Sequence, residues 1–170
     1  MRKIIFASNN KHKAEEIRAI LGEQFDIITL KEAGLEIDIP EPHETLLENA
    51  REKSTVIHRL TGMDCFSEDT GLEVEALNGA PGVRSARYAG EHANANDNLQ
   101  KLLAEMKGIA NRAARFKTVI SLLLNGQEYI FEGDCEGTIT DSAQAQLALG
   151  MTRFSCLPNM IKPLQRWVLK

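Results

Sequence analysis

The sequence predicts a mixed α/β protein in which a long mixed β-sheet is flanked by helices. Strand-like and helix-like segments alternate along the chain, a pattern that is typical of α/β and α+β domains. The chain has 170 residues, of which 43% are apolar and 26% are charged. This is enough for one domain with a buried core and too little for two. We therefore expect a single domain over residues 1–170.

The first half of the chain predicts a strand, a helix, a second strand and a second helix. Apolar residues 3–7 predict a strand that ends in a polar corner, and helical spacing follows from Lys13 to Gly22. Residues 25–30 predict the second strand. After a loop with two prolines, residues 44–60 carry apolar side chains at helical spacing and predict a longer helix.

The next part of the chain predicts a strand that is interrupted by an acidic turn. A short apolar run at residues 65–66 leads into the turn, residues 67–71, and apolar and polar residues then alternate over residues 72–77. Residues 94–107 carry leucines at helical spacing, which predicts a third helix.

A β-hairpin is predicted to follow the third helix. Residues 115–124 and 128–135 are strand-like and flank Asn125-Gly126, which is the strongest short signal for a two-residue turn. In residues 141–170 neither the strand period nor the helix period continues. We therefore interpret them as an atypical tail that follows residues 1–140.

Charge and hydropathy exclude several classes of protein. The formal net charge is -4, so no global positive field draws the chain to nucleic acid or to anionic lipid. No apolar run approaches the roughly 20 residues of a membrane span, and the first apolar run is too short for a signal peptide. Three cysteines without a C-x-x-C spacing predict unpaired thiols. We expect a cytoplasmic protein that binds neither nucleic acid nor a membrane.

The polar corner after the first strand has the composition of an anion-binding site. It consists of Ser8, Asn9, Asn10, Lys11, His12 and Lys13. A helix N-terminus offers unpaired N–H groups, and hydroxyl, amide and ammonium groups beside it suit a triphosphate. The chain contains no Walker-type G-x-x-x-x-G-K-[ST] loop. A capped helix start with solvated lysines is the alternative interpretation.

Carboxylates are concentrated in two later segments. Glu41 and Glu48 lie before and within the first turns of the second helix, and Glu68 and Asp69 lie in the acidic turn. Magnesium takes one or two carboxylates together with phosphate oxygens and water, and a further carboxylate can activate an attacking water. The segment of residues 68–71 is therefore the prime candidate site. A solvated acidic turn is the alternative.

The third candidate is the loop of residues 78–90. Its glycines and its proline allow close approach to a ligand, and Arg84 and Arg87 can bind phosphate. An ordinary surface loop is the alternative. The four histidines show no spacing typical of a zinc site or a catalytic triad, so neither is predicted.

In this order the three segments resemble the inosine triphosphate pyrophosphatase family, the non-canonical purine nucleoside triphosphate hydrolases. The resemblance rests on residues 8–17, on Glu41 with residues 45–50, on residues 67–72 and on residues 79–90. It implies Mg²⁺-dependent hydrolysis of inosine, deoxyinosine and xanthosine triphosphates (ITP, dITP and XTP) between the α and β phosphates. The products would be a monophosphate and pyrophosphate. It also implies an elongated fold and a homodimer.

The resemblance also implies a role for each candidate residue. Glu41 and Asp69 would hold Mg²⁺, Asp69 would in addition be the proton acceptor, and Glu68 would be a second catalytic residue. The substrate would contact Ser8, Asn9, Asn10, Lys11, His12, Lys13, Lys53, Thr70 and Arg87. Such a site needs little covalent chemistry, because a positioned metal and cations offset charge on the phosphate oxygens and a carboxylate aligns the water.

The tail breaks the resemblance. The family motifs Gly-Phe-Gly-Tyr-Asp-Pro, Thr-Phe-Ala-Glu and Ser-His-Arg, which build the purine pocket, do not occur in this chain. In a reading frame shifted by one base, the codons of Met151-Thr152 and of Met160-Ile161 must encode Asp, and those of Trp167-Val168 must encode Gly. A shifted reading from Ala148 permits the first two motifs. We hypothesise that a one-base slip near Thr140 replaced the C-terminal segment and impairs the activity.

Two other functions stay open from the sequence. The chain could be a noncatalytic remnant that binds phosphate ligands or pairs with an intact subunit. It could also be an unrelated α/β nucleotide-binding module, which would bind ATP without cleaving it between the α and β phosphates. Release of pyrophosphate in the presence of Mg²⁺ distinguishes both from the pyrophosphatase.

Overall fold

The structure, a computed structural model, describes residues 1–21 and 25–142, so most of the predicted tail lies outside the described residues. The elements are β1 (Arg2–Phe6), α1 (Lys11–Leu21), β2 (Phe25–Thr29), α2 (Leu46–Thr61), β3 (Cys65–Val74), β4 (Pro81–Gly82), α3 (Ala95–Glu105), β5 (Ala113–Leu124) and β6 (Gln127–Thr138). Within the described ranges, no helix combines the length and the apolar character that crossing a membrane requires.

The six strands form one mixed sheet. The strand order is β2-β1-β3-β5-β6, and β4 pairs with β3 beside this path. Strand β1 runs parallel to both β2 and β3, whereas β4 is antiparallel to β3. The predicted fold class, a mixed α/β protein with helices flanking a mixed sheet, is therefore confirmed.

Two compact units make up the described chain. Of the described residues, the first unit contains 1–69 and 119–132, and the second contains 70–118 and 133–142. A core cluster of the first unit comprises Ile5, Ala7, Leu30, Ile57 and Cys65. One of the second unit comprises Val74, Leu102 and Met106. The expectation of a single domain with a tail from residue 141 stays a prediction.

Helix α2 forms close to its predicted bounds because both of its ends are capped. The Thr45 hydroxyl accepts a hydrogen bond from the backbone N–H of Glu48 at 3.2 Å and donates to the Glu48 carboxylate at 2.7 Å. At the other end Gly62 is left-handed, with φ of 65°, and its N–H donates to the carbonyl of His58. Glu48 therefore helps to cap the N-terminus of α2 together with Thr45.

The predicted acidic turn at residues 67–71 is wrong, because β3 runs without a break from Cys65 to Val74. Asp and Gly are disfavoured in strands, which made a turn the natural expectation. Contacts with α2 outweigh this preference. The Ser67 hydroxyl donates to the Ala50 carbonyl, and the Lys53 ammonium donates to the Glu68 carbonyl at 2.8 Å. The predicted extension of the strand to residue 77 is replaced by a short 3₁₀ helix, Glu75–Leu77.

The predicted hairpin and third helix are present. Asn125 and Gly126 connect β5 to β6 with φ values of 54° and 75°, as a two-residue turn of type I′ requires. Helix α3 begins with a capping box in which the Asn94 side chain and the Asp97 side chain each accept a backbone N–H of the other residue.

The cysteines agree only in part with the expectation of unpaired thiols. Cys65 is free and buried in the first unit. Cys135 is disulfide-bonded, so the expectation is wrong at that position. Spacing alone does not determine which thiols pair, because pairing depends on how the chain folds.

Candidate functional site

Two carboxylates and a backbone carbonyl converge on the ammonium group of Lys53. Its Nζ lies 2.7 Å from Glu41 Oε1 and 3.6 Å from Asp69 Oδ1, and it donates to the Glu68 carbonyl. We call Glu41, Lys53, Glu68 and Asp69 the Lys53 cluster. One nitrogen thus joins the loop before α2 to the middle of β3, segments that are far apart in sequence.

The polar corner of residues 8–13 borders this cluster. Lys13 forms an ion pair with the Glu68 carboxylate. The Asn10 side chain caps α1 by accepting the N–H of Lys13 at 3.2 Å, and Ser8 Oγ accepts the N–H of Asn10 at 3.1 Å. The structure therefore brings the cationic start of α1 beside the acidic part of β3.

Burial strongly affects the charge of Asp69, whose side chain is 13% exposed. Removal from water raises its pKa from the ordinary value of 3.8 to about 6. The carboxylates of Glu41 and Glu68 add to the rise, whereas Lys53 and a hydrogen bond from the Asn49 side chain oppose it. A carboxyl group with such a pKa is able to accept a proton near neutral pH.

Polar residues on the buried side of α2 hold this part of β3 in place. The buried positions of the helix are Leu46, Asn49, Ala50, Lys53, Ser54 and Ile57. Our sequence reasoning assigned no role to Asn49 or Ser67, both fully buried. The Asn49 side chain bonds to the backbone N–H and carbonyl of His43, and the Ser67 hydroxyl donates to the Ala50 carbonyl. A signal was available for Asn49, because a polar residue on the apolar side of a helix must find a partner.

The remaining predicted substrate residues lie in the same corner or in the second unit. Asn9 Oδ1 accepts the N–H of Lys31 at 3.0 Å, and Lys11 and His12 lie in the first turn of α1. Thr70 and Arg87 belong to the second unit. There the Thr70 hydroxyl shares a hydrogen bond of 2.7 Å with Thr118, and Arg87 lies 3.8 Å from Glu91.

The donor set of the Lys53 cluster suits a hard cation that brings its own further ligands. In the described part of the chain, no group of three or more His, Cys, Asp or Glu side chains could hold a metal ion by itself. Glu41 and Asp69 supply carboxylate oxygens within reach of one ammonium nitrogen. Magnesium is commonly bound through one or two carboxylates, with substrate phosphates and water completing the shell, so the residues present fit it.

The second unit contains a groove of about 560 Å³ that is lined by Asn78 and Gly79 of the candidate loop but by none of the predicted catalytic, metal-binding or substrate-contacting residues. Its charged lining includes Arg115, which lies 2.7 Å from Glu73 and 3.9 Å from Asp134. We call Arg115, Glu73 and Asp134 the Arg115 cluster. About half of the Arg115 and Asp134 side chains is exposed, which is typical of solvated ion pairs.

Comparisons with known proteins agree with the resemblance in the sequence. The sequence profile of the Ham1 family matches residues 4–151. The chain is 50% identical over 140 residues to a dITP/XTP pyrophosphatase of Flavobacterium johnsoniae, covering 82% of this chain and 73% of that protein. It is 48% identical over 151 residues to the enzyme of that name from Porphyromonas gingivalis, covering 88% and 78%.

Comparison with solved structures also points to the Ham1 family. The structure of the Staphylococcus aureus Ham1 protein superimposes with a TM-score of 0.86 at 31% sequence identity, covering 98% of each chain. The family profile matches most of the chain, the identities are high, and the structural match extends over almost its whole length. The chain therefore belongs to the Ham1 family.

Proposed function

We propose that this protein hydrolyses non-canonical purine nucleoside triphosphates, namely ITP, dITP and XTP, to the monophosphate and pyrophosphate. The chain is a nucleoside triphosphate pyrophosphatase, a hydrolase acting on acid anhydrides, as its curated relatives are. The observation that carries the choice of site is the convergence of Glu41 and Asp69 on the Lys53 ammonium.

The proposal gives the cationic and polar groups the task of binding phosphate. Lys13 and Lys53 are held by carboxylates in the structure, so each can exchange a carboxylate for a phosphate oxygen when the substrate arrives. The corner of residues 8–13 adds backbone and side-chain donors at the start of α1. We keep Thr70 and Arg87 as proposed substrate residues because the motifs that contain them resemble those of the family.

The carboxylates then have two tasks. Glu41 and Asp69 would hold a divalent ion, for which we propose Mg²⁺, and this ion when bound offsets negative charge on the phosphate oxygens. Asp69 accepts the proton of the attacking water, because its raised pKa of about 6 suits proton transfer near neutral pH. Glu68 lies beside it and keeps Lys13 in position.

Product analysis tests this proposal. The full chain is incubated with ITP, dITP, XTP, ATP or GTP and MgCl₂, and nucleotides and phosphates are separated by ion-exchange chromatography. We expect inosine monophosphate and pyrophosphate from ITP, without the diphosphate or orthophosphate. The variant Asp69→Asn should lose activity by about 100-fold or more.

A matched control is Asp134→Asn, which removes one exposed carboxylate from the Arg115 cluster and should keep the wild-type rate. Nucleotide binding without any cleavage would instead support the noncatalytic remnant. Binding of ATP without cleavage between its α and β phosphates would support an unrelated nucleotide-binding module. Release of orthophosphate would contradict the assigned bond cleavage.

The altered tail leads to a second part of the proposal. We propose that the missing purine-pocket motifs reduce both the activity and the preference for inosine over adenine. A chain with the repaired reading frame should turn over ITP faster and discriminate more strongly against ATP. Equal ITP turnover by the two chains would contradict this, as would coding DNA without the motifs in a shifted frame. We also propose a homodimer, which sedimentation equilibrium tests directly.

A further inference from the structure

A single buried carboxamide holds the loop that carries one of the proposed metal ligands against helix α2. Asn49 is fully buried and lies in the second turn of α2. Its Oδ1 accepts the backbone N–H of His43 at 3.0 Å, and its Nδ2 donates to the His43 carbonyl at 3.3 Å. The same helix carries Lys53, whose ammonium nitrogen lies 3.6 Å from Asp69 Oδ1. Both backbone polar groups of one loop residue are thus attached to the helix that contacts Asp69.

We infer that Asn49 is a positioning residue, which fixes Glu41, two residues before His43, against helix α2 and thereby sets its separation from Asp69 in β3. The inference rests on the proposed function and deepens it, because the family comparisons and the sequence assign no role to this side chain. It concerns placement only, since Asn49 itself does not touch the reacting atoms.

The chemistry of the side chain explains why an amide is needed. An amide has one acceptor oxygen and two N–H donors, and the two bonds to the backbone of His43 use both kinds of group. A carboxylate of the same shape accepts the His43 N–H but cannot donate to the His43 carbonyl, which it repels. A serine has a single hydroxyl on a shorter side chain, which cannot replace both bonds. Neither replacement preserves the connection.

The anchoring of β3 strengthens this inference. Three consecutive residues of β3 contact α2: Ser67 bonds to Ala50, Glu68 to Lys53, and Asp69 forms an ion pair with Lys53. The strand is therefore held against the helix at each residue. The loop that carries Glu41 is tied to the same helix through His43 and Lys53. Helix α2 is the common frame for both proposed ligands.

The test compares Asn49→Ser and Asn49→Asp with Ser54→Ala as the matched control. Ser54 is fully buried on the same helix, and its hydroxyl bonds to Ser121 at 2.7 Å and to the Arg51 carbonyl at 3.1 Å. We expect both Asn49 variants to lower kcat for ITP by about 10- to 100-fold with KM unchanged. Ser54→Ala should keep both constants. Wild-type kcat in a folded Asn49→Ser protein would overturn the inference.

A second readout does not depend on activity. Hydrogen exchange of the His43 amide, followed by NMR, should be slow in the wild type and in Ser54→Ala, and faster in Asn49→Ser. Fast exchange of this amide in the wild type would overturn the inference even if the Asn49 variants failed to fold. If the wild type released no pyrophosphate, the proposed function would fall, and the exchange rates alone would decide whether Asn49 holds the loop.

Discussion

The Lys53 cluster and the Arg115 cluster contain similar groups in opposite surroundings. Each has one basic side chain in contact with two carboxylates. In the Lys53 cluster the side chains of Lys53 and Asp69 are 11% and 13% exposed, whereas those of Arg115 and Asp134 are 47% and 46% exposed. Lys53 and Asp69 are thus largely removed from water, whereas Arg115 and Asp134 remain solvated.

This difference separates a candidate site from ordinary surface charge. Exposed ion pairs contribute little to stability, because water already solvates both partners. A buried group of charges is costly to form, and groups with shifted pKa values are concentrated at functional sites. Neighbouring carboxylates that are shielded from water also repel each other, and a bound cation relieves this repulsion. The comparison therefore favours the Lys53 cluster as the place where ligand binding changes the energetics most.

The largest difference in stability between the two clusters is expected when the basic side chain of each is replaced. Lys53→Met leaves buried carboxylates without their counter-charge and should lower the free energy of unfolding by about 3 kcal/mol or more. Arg115→Met should leave it unchanged, since its partners become solvated. Urea unfolding followed by circular dichroism measures both. Equal losses in the two variants would remove the distinction between the clusters.

The pH dependence of stability should come next in size. The pKa of Asp69 is raised to about 6, so between pH 4 and pH 6 the unfolded chain releases a proton that the folded protein keeps. Asp69 therefore makes the folded protein less stable as the pH rises through this window, by up to about 3 kcal/mol. Asp69→Asn removes this dependence.

Unfolding curves of metal-free wild type and Asp69→Asn at pH 4, 5, 6 and 7 measure the effect. The variant should gain stability relative to the wild type as the pH rises to 6 and keep that gain at pH 7. Asp134→Asn is the matched exposed control and should show no such trend. A constant difference between wild type and Asp69→Asn would mean that Asp69 is not held in a dehydrated environment.

The smallest effect concerns salt. Raising NaCl to about 1 M shortens the screening length to about 3 Å, which weakens contacts between solvated charges more than contacts between buried ones. In a double-mutant cycle on Arg115 and Glu73, the coupling free energy between the two side chains should vanish in high salt. In the cycle on Lys53 and Glu41, most of the coupling free energy should remain. Loss of both couplings would place the two clusters in the same dielectric environment.

The sequence predicted those parts of the fold that local forces decide. The hairpin at Asn125-Gly126 depends on two backbone conformations that these residues favour, and α2 depends on its caps and its apolar spacing. Both were predicted within a few residues. The acidic segment of β3 was predicted as a turn because its composition disfavours strands. Its conformation depends on bonds to Ala50 and Lys53, which local patterns do not reveal.

The site was predictable to a similar extent. Glu41 and Asp69 were singled out by their chemistry, and the order of motifs assigned them to one site. Their contact with a shared ammonium group depends on how α2 packs on β3, which neither segment indicates alone. The bonds of Asn49 to His43 are not indicated by the motif of residues 45–50, in which the residue stands. Its place between Leu46 and Ala50 on the buried side of the helix was the available clue.

The attachment of three successive β3 residues to α2 has a consequence for how this chain can change length. Each residue removed from an α-helix turns the following part by about 100°. A deletion between Ala50 and Lys53 would therefore swing Lys53 away while Ala50 stayed in place, and the bonds to β3 could no longer all form together. Among natural variants, insertions and deletions should be absent from this stretch and confined to connecting loops.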